Sequence, residues 1–295
     1  MAQSKRVPRP SGKKRAPAKK RKTSALFPKL PVFRILFYLA LLFFFILSTA
    51  TVFYVIFFQV VVAAELTEHE SVPKAAIIID DMGNNRQIGR ALLALDLNLT
   101  FSFLPYSPFC EELELAASQT GKTVMLHVPL EPRDPDVDPG TGALHVDDSR
   151  TRMAALFADN IAAVPHAVGV NNHMGSRFTE DAEAMAGLAE LVGERHLFFI
   201  DSLTSTNSKA MAIVSAHGIP AAQRDIFIDN ERNVEAICSR IEELVDLALR
   251  KGSVIGIGHP YPETLEALNR CGADLQSIEL VNAGQLINER PSKVE

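Results

Sequence analysis

The amino-acid sequence predicts an α/β protein whose parallel strands form a closed or nearly closed barrel, preceded by one membrane-spanning helix. Short apolar runs bounded by turn signals recur along the chain, helical patterns lie between them, and one long apolar stretch precedes them all. Strands that alternate with helices imply a parallel sheet covered by helices. An open doubly wound sheet is the second choice. The seven strand candidates are Ala75–Ile79, Leu99–Leu104, Thr123–Val128, Val168–Asn172, Leu197–Ile200, Ile226–Ile228 and Val254–Ile257.

The charges divide the chain into two parts of opposite sign. Residues 1–34 contain 12 of the 30 Lys and Arg and none of the 35 Asp and Glu, so the remainder carries 18 basic against 35 acidic residues, a net charge of −17. The basic segment has no apolar period, which predicts a disordered tail. An acidic surface repels phosphate, so no nucleic-acid partner is expected for the folded part.

The apolar stretch over residues 35–58 has no charged residue in 24 positions. As a helix it would be about 36 Å long, enough to cross a hydrocarbon core of roughly 30 Å. We expect an uncleaved signal anchor in the inner (cytoplasmic) membrane, because a signal peptide usually has an apolar core of only about 7–15 residues. Cleavage near Ala63 and Ala64 is the alternative. The positive-inside rule places the basic tail in the cytoplasm and the acidic part in the periplasm or another extracytoplasmic space.

The remainder divides into a short polar linker, residues 59–72, and one domain, residues 73–290, of ordinary size. Its clearest helix is predicted over residues 231–251, where apolar residues follow 3.6 spacing and Asn230 and Gly252 suit the two ends. Weaker helical patterns follow Asn85, Glu111, Ser149, Thr179 and Ser205.

Three cysteines, Cys110, Cys238 and Cys271, have no CxxC spacing. In an oxidising compartment they allow one disulfide with one thiol left over, or none. Because Cys238 lies on the apolar face of the clearest helix, we expect a buried, unreactive thiol there.

Polar residues end nearly every predicted strand. In parallel α/β folds the carboxyl ends of the strands form the functional edge, so these residues should converge on one site. A core histidine or a helix cap would explain any single member, but it explains the whole set poorly. The members are Asp80 and Asp81, His127, Asn172 and His173, Asp201, Asp225 or Asp229, and His259.

The residue types indicate acid–base chemistry at a metal. Of the adjacent acids Asp80 and Asp81, one can bind a metal while the other acts as base. Two histidines, His127 and His173, with one Asp form the ligand set expected of a catalytic divalent metal, for which zinc is the first choice. His259 follows the last strand and could protonate a leaving group.

Further polar residues near the same edge are assigned to substrate binding or to support of the site; they are Glu131, Asn172, Ser176 and Asp201. No GxSxG or GxxxxGK[ST] motif occurs in the sequence, which argues against a serine hydrolase and a P-loop NTPase.

Six motifs in order, IIIDDMG, FSFLPYSP, MLHVPLEP, GVNNHMGSRFT, FFIDSLTS and GIGHP, resemble the divergent polysaccharide deacetylase family, relatives of the chitooligosaccharide deacetylase fold, over residues 73–285. The resemblance implies a distorted (β/α)7 barrel and an extracytoplasmic location. It also implies that Asp80 is the catalytic base, Asp81 a metal ligand and His259 the catalytic acid.

The sequence departs from the pattern of ordinary members of that family. Those members bind metal through two histidines four residues apart, whereas Glu131 stands four residues after His127. Either Glu131 replaces the second ligand or His173 supplies it from the next strand, and His173 is preferred because imidazole is the commoner zinc ligand. The arginine-aromatic-proline motif of ordinary members is not evident.

The leading functional hypothesis is a metal-dependent hydrolase that removes N-acetyl groups from an extracytoplasmic polysaccharide or a peptidoglycan-type glycan. A glycan-binding or scaffold protein of the cell envelope, with weak or no catalysis, is the alternative. Another metal-assisted hydrolase, such as a phosphodiesterase, is a weaker third hypothesis.

Overall fold

A computed structural model describes residues 30–68 and 72–289 of the chain. The chain separates into two compact units, residues 1–70 and residues 71–295, which are described one at a time. Most of the predicted basic tail, residues 1–29, and the end of the predicted linker, residues 69–71, lie outside the described residues.

The described part of the first unit, residues 30–68, forms one helix, α1 (Leu30–Glu68). Its Val32–Gln59 stretch has a mean hydropathy of 2.4 and is long and apolar enough to cross a membrane, by length and composition. Residues 30–34 and 59–68, which the sequence placed in the tail and the linker, are helical. The helix therefore extends beyond the predicted span at both ends.

The second unit alternates strands with helices, as the sequence predicts. Its strands are β1 (Lys74–Met82), β2 (Thr100–Phe103), β3 (Thr123–Leu130), β4 (Gly169–Met174), β5 (Phe198–Asp201), β6 (Ala221–Gln223), β7 (Ile226–Phe227), β8 (Ser253–Gly258) and β9 (Glu279–Leu280). Its helices are α2 (Arg86–Leu93), α3 (Cys110–Gln119), α4 (Arg150–Ala163), α5 (Ala182–Glu194), α6 (Ala210–Ala216), α7 (Val234–Lys251), α8 (Pro262–Cys271) and α9 (Ala283–Glu289).

The strands form one parallel sheet in the order β6-β5-β4-β3-β2-β1-β8-β7, and β9 pairs with β1. β6 and β7 stand at the two edges of this order, yet only Arg224 and Asp225 separate them in the chain. Two residues span little more than about 10 Å, so the sheet must curl until its two edges approach each other. The nearly closed α/β barrel predicted from the sequence is confirmed as a curled half-barrel, with β6 and β9 as short strands that the sequence did not indicate.

Each strand of the curled sheet has one face toward the helices and one face toward the barrel interior. On β1, Ile77 and Ile79 belong to the helix-side core, whereas Ala76 and Ile78 belong to the interior cluster. Helix α9 contributes to the interior cluster and so closes the lower end of the barrel. Toward the carboxyl ends of the strands the barrel interior is polar, and Asp80, His127 and Asn171 are buried there.

Helix α7 follows the predicted pattern but begins three residues later than expected. Asn233, not Asn230, caps its start by accepting a hydrogen bond from the Ala236 N–H, while Gly252 ends the helix with a φ of 80°. A disulfide joins Cys238 of α7 to Cys271 at the end of α8, and Cys110 is a buried free thiol. The expectation of an unreactive thiol at Cys238 is therefore wrong.

Candidate active site

A β-bulge at the end of β1 brings two neighbouring carboxylates to the same side. Ile79 pairs with Phe101 and Met82 with Phe103, so β1 contains one extra residue between these pairs. Asp81 has a left-handed backbone (φ 52°), a conformation that Asp tolerates better than most residues. Bulges re-aim side chains in this way, and here both acids approach His127. Its Nε2 lies 3.8 Å from Asp80 Oδ2 and 3.2 Å from Asp81 Oδ1.

Two histidines on adjacent strands complete a cluster around Asp81. β3 and β4 pair with His127 opposite Asn171 and Pro129 opposite His173, so His173 lies two residues along the same face. His173 Nδ1 is 3.0 Å from Asp81 Oδ1 and 3.2 Å from His127 Nε2. Asp81 Oδ1 is buried, and neither imidazole contact has the geometry of a hydrogen bond to it. Two imidazole nitrogens, His127 Nε2 and His173 Nδ1, thus face a buried carboxylate oxygen that has no hydrogen-bond partner.

Asn171 fixes the tautomer of His127. Its Nδ2 donates to Asp80 Oδ1 (2.7 Å), because a carboxylate can only accept. Its Oδ1 therefore faces the other way, where it accepts from Ser102 Oγ (2.5 Å) and His127 Nδ1 (2.8 Å). With the proton on Nδ1, the lone pair of His127 Nε2 points toward the cluster, as a metal ligand requires.

The cluster of Asp81 Oδ1, His127 Nε2 and His173 Nδ1 fits a divalent metal such as zinc. Zinc bonds of about 2.0 Å, directed tetrahedrally, would hold the ligand atoms about 3.3 Å apart, close to the spacing found here. Three protein ligands with an open position are typical of catalytic zinc sites. The unpartnered Asp81 oxygen is the observation that most favours a cation.

The electrostatics of the cluster also favour positive charge. Burial would raise the pKa of Asp81, but His127 and His173 hold it well below its usual range. Burial would lower the pKa of His127, yet Asp80 and Asp81 outweigh that effect and raise it to about 9. The two carboxylates thus stabilise a cation between them, which can be a metal ion or a proton.

Asp80 differs from its neighbour because it is almost fully buried. Burial raises the pKa of Asp80, and the charges of His127 and His259 with the hydrogen bond from Asn171 offset part of that rise. A carboxylate with a raised pKa is a better proton acceptor, as a general base requires.

His259 follows the end of β8, and its ring is held by the carboxylate of Asp229, which is not part of the Asp81 cluster. Its Nδ1 is 2.9 Å from Asp229 Oδ1, and its backbone N–H donates to Asp229 Oδ2 (2.5 Å). Thr264 Oγ1 donates to the same oxygen (2.8 Å). Burial would lower the pKa of His259, but Asp229 outweighs it and raises that pKa. A proton on Nδ1 leaves Nε2 for exchange with a substrate.

The residues predicted to bind substrate or support the site form hydrogen bonds to neighbouring loops. Asn172 points to the opposite face from Asn171; its Oδ1 accepts from the Ser202 N–H (2.9 Å) and its Nδ2 donates to the Met174 carbonyl (2.9 Å). Glu131 accepts from Arg177 Nη1 (2.5 Å) and from the Val146 N–H (2.8 Å), so both of its oxygens are engaged outside the cluster. The structure brings His173, not Glu131, to Asp81 and His127.

Ser176 and Asp201 also stabilise loops. Ser176 Oγ accepts from the Arg133 N–H (2.9 Å). Asp201 is buried and accepts from the Leu203 N–H (2.8 Å) and Ser208 Oγ (2.7 Å), so it orders the segment after β5 and touches no histidine.

An open cleft of ≈ 290 Å³ adjoins the cluster at His173. The loop after β2, residues 104–108, forms one wall, and residues 138–141 form the other. Tyr106 is half exposed on this wall. The cleft provides space for a substrate beside the cluster.

Asn171 was not among the site residues of the sequence analysis, and Asp229 was there only as an alternative to Asp225, without an assigned role. The alternation of side chains along a strand could have identified Asn171, because it shares a face with His173 two residues later. Asp229 follows the sixth predicted strand, but no sequence signal connects it to His259, which lies 30 residues away. That pairing depends on the order of the sheet.

The chain matches the family model described as divergent polysaccharide deacetylase over residues 77–287. It is 33% identical over 218 residues to the uncharacterized protein YibQ of Escherichia coli K12, covering 73% of this chain and 68% of YibQ. It is 31% identical over 214 residues to an uncharacterized protein of Haemophilus influenzae, covering 72% of this chain and 76% of that protein. The crystal structure of the uncharacterized protein ATU2773 from Agrobacterium tumefaciens superposes with a TM-score of 0.70 at 24% identity, covering 74% of this chain and 90% of that one.

Proposed function

This chain belongs to the divergent polysaccharide deacetylase family, and on that premise we propose that it is a metal-dependent hydrolase that removes N-acetyl groups from an extracytoplasmic polysaccharide or peptidoglycan-type glycan. The observation that supports this most is the cluster of Asp81, His127 and His173, with a buried carboxylate oxygen that lacks a hydrogen-bond partner. Zinc is the ion we propose for it.

The chain's own residues would divide the proton transfers between two sides of the site. Asp80, with its raised pKa, would accept the proton of the attacking water. His259, held by Asp229 through Nδ1, would give a proton to the departing amine. The bound ion would supply Lewis acidity, polarising the amide carbonyl and acidifying the water. The cleft beside His173 would hold the sugar that carries the acetyl group.

The proposed location is the inner membrane, with the tail in the cytoplasm and the second unit on the periplasmic side. Three observations support it: the apolar helix, the strongly basic residues before it, and the Cys238–Cys271 disulfide. Basic residues are retained on the cytoplasmic side, and disulfides persist in oxidising compartments. The membrane would hold the enzyme close to a glycan of the cell envelope.

The test is acetate release from N-acetylated glycans by the purified full-length chain, measured together with its metal content. We expect about one metal ion per chain and acetate release that a chelator abolishes. The substitution Asp80→Asn should lower turnover by at least about 100-fold, because a positioned general base contributes about 10²–10⁴ in rate, while metal content stays the same. Full metal occupancy without acetate release from any N-acetylated glycan would exclude the hydrolase and favour the glycan-binding alternative.

A further inference from the structure

Three flat rings stack beside the candidate active site, with an arginine at each end of the series. Phe227 and His259 have ring centroids 5.9 Å apart, and His259 and Tyr261 have centroids 5.4 Å apart. The Arg224 guanidinium lies 3.6 Å from the Phe227 ring centre, and that of Arg232 lies 3.7 Å from the Tyr261 ring centre. The stack thus runs from the barrel wall past His259 to the surface.

The two arginines of the stack differ in their hydrogen bonds. Arg224 is partly buried and donates to the backbone carbonyls of Ser202 (2.8 Å) and Leu203 (3.1 Å), which gives it a structural role. Arg232 is exposed, and no carboxylate or carbonyl among the described residues accepts a hydrogen bond from it. Its flat face contacts Tyr261, so its N–H edges remain free to bind another group.

Arg232 is one of four arginines in residues 72–289 for which the structure shows no ion pair with a carboxylate; the others are Arg195, Arg224 and Arg250. Most arginines in residues 72–289 form ion pairs with carboxylates; these are Arg86, Arg90, Arg133, Arg150, Arg152, Arg177, Arg240 and Arg270. Arg232 instead leaves a positive charge next to His259 and on the side of it away from the cleft at His173. The order of the strands places β8 and β7 on one side of β1, and β2, β3 and β4 on the other.

We propose that Arg232, supported by Tyr261, binds a carboxylate carried by the glycan on a sugar next to the one that is deacetylated. The proposal rests on the proposed function and narrows its substrate to an acidic glycan. The two ring contacts put the guanidinium within about 9 Å of the His259 ring, which suits a neighbouring sugar rather than the acetyl group itself. The planar donor edge of an arginine matches a carboxylate in a bidentate pair. A local cation is also what an acidic ligand needs to approach a protein of the same sign.

The test compares two oligosaccharides of equal length with the full-length chain in detergent. One consists of N-acetylglucosamine only, and the other alternates N-acetylglucosamine with N-acetylmuramic acid, which carries a lactyl carboxylate. Both are titrated by calorimetry against the chain with Asp80→Asn, which should slow turnover by at least about 100-fold. We expect Arg232→Gln to weaken binding of the carboxylate oligosaccharide about tenfold, equivalent to about 1.4 kcal/mol, and to leave the neutral one unchanged.

Arg250→Gln is the matched control, because Arg250 lies in the last turn of α7 and Arg232 lies just before its first turn, at the opposite end of that helix. It should leave the affinity for both oligosaccharides unchanged. Arg232→Lys, which keeps the charge but loses the planar edge, should keep only part of the preference. An Arg232→Gln chain that still prefers the carboxylate oligosaccharide, or that loses affinity equally for both, overturns this inference alone. Absence of binding of both oligosaccharides to the Asp80→Asn chain with Arg232 in place also overturns this inference, whereas the proposed function fails only if no N-acetylated glycan releases acetate.

Discussion

Two groups of imidazoles and carboxylates lie at the same edge of the barrel, and they differ in how their oxygens are used. Asp229 accepts three hydrogen bonds, two of them from His259 and one from Thr264. Asp81 Oδ1 lies between His127 and His173 and accepts none. A satisfied pair holds one ring in one tautomer and is suited to proton transfer. A buried carboxylate oxygen without a hydrogen-bond partner is costly unless a cation binds it.

The first prediction removes one of the three proposed metal ligands, the side chain of His173. His173→Ala should reduce the metal content of the purified chain from about one equivalent to nearly none and abolish acetate release, since catalytic zinc sites use three protein ligands. Elemental analysis measures the metal, and circular dichroism verifies the fold.

Glu131→Gln is the control, because Glu131 occupies the position where ordinary family members have their second histidine but engages Arg177 and Val146 instead. It should retain the metal. If the Glu131→Gln chain lost the metal and the His173→Ala chain kept it, Glu131 and not His173 would be the third ligand.

The second prediction separates two neighbouring asparagines that point to opposite faces of β4. Asn171→Leu removes the partner that holds both Asp80 and His127, so the affinity for zinc should fall about 10- to 100-fold, as for other residues that orient a ligand. Asn172→Leu should leave zinc affinity unchanged. It should instead lower the free energy of unfolding by about 1–3 kcal/mol, because the buried Ser202 N–H loses its acceptor. Competition with a zinc chelator and urea unfolding measure the two effects, and equal losses of zinc affinity would refute the distinction.

The sequence could group most residues of the candidate site because they lie at the ends of the strands. Runs of apolar residues located seven strands, and a parallel sheet brings their carboxyl ends together, so Asp81, His127 and His173 could be grouped before any contact was known. The β-bulge at the end of β1 could not be predicted from the apolar runs. Adjacent residues of a regular strand point to opposite faces, and only the left-handed backbone of Asp81 lets it join Asp80 beside His127.

Other residues that the sequence assigned to substrate binding or to support of the site form hydrogen bonds to nearby loops, because short-range signals cannot tell one hydrogen-bond partner from another. Asn172, Ser176 and Asp201 are polar and end strands or begin loops, as site residues do, yet their partners are backbone groups and a serine of nearby segments. The Cys238–Cys271 disulfide has the same explanation. Its two cysteines come together only because α7 and α8 pack side by side, and a periodic pattern places Cys238 on an apolar face without naming its neighbour.

The smallest predicted effect concerns the satisfied pair. Asp229 raises the pKa of His259, so the protonated ring persists to higher pH than a free histidine, whose pKa is 6.5. Asp229→Asn removes that charge and should move the alkaline limb of the activity profile to lower pH, with zinc content unchanged. The contribution of the His259–Asp229 pair to the free energy of unfolding should be complete below about pH 6.5 in the native chain. It should disappear as the pH rises through the raised pKa of His259, and this pH dependence should be absent from the Asp229→Asn chain. Thr264→Val keeps the charge and removes one hydrogen bond, so its limb should move less. Activity profiles that coincide for Asp229→Asn and the native chain would show that His259 is not the group that donates the proton.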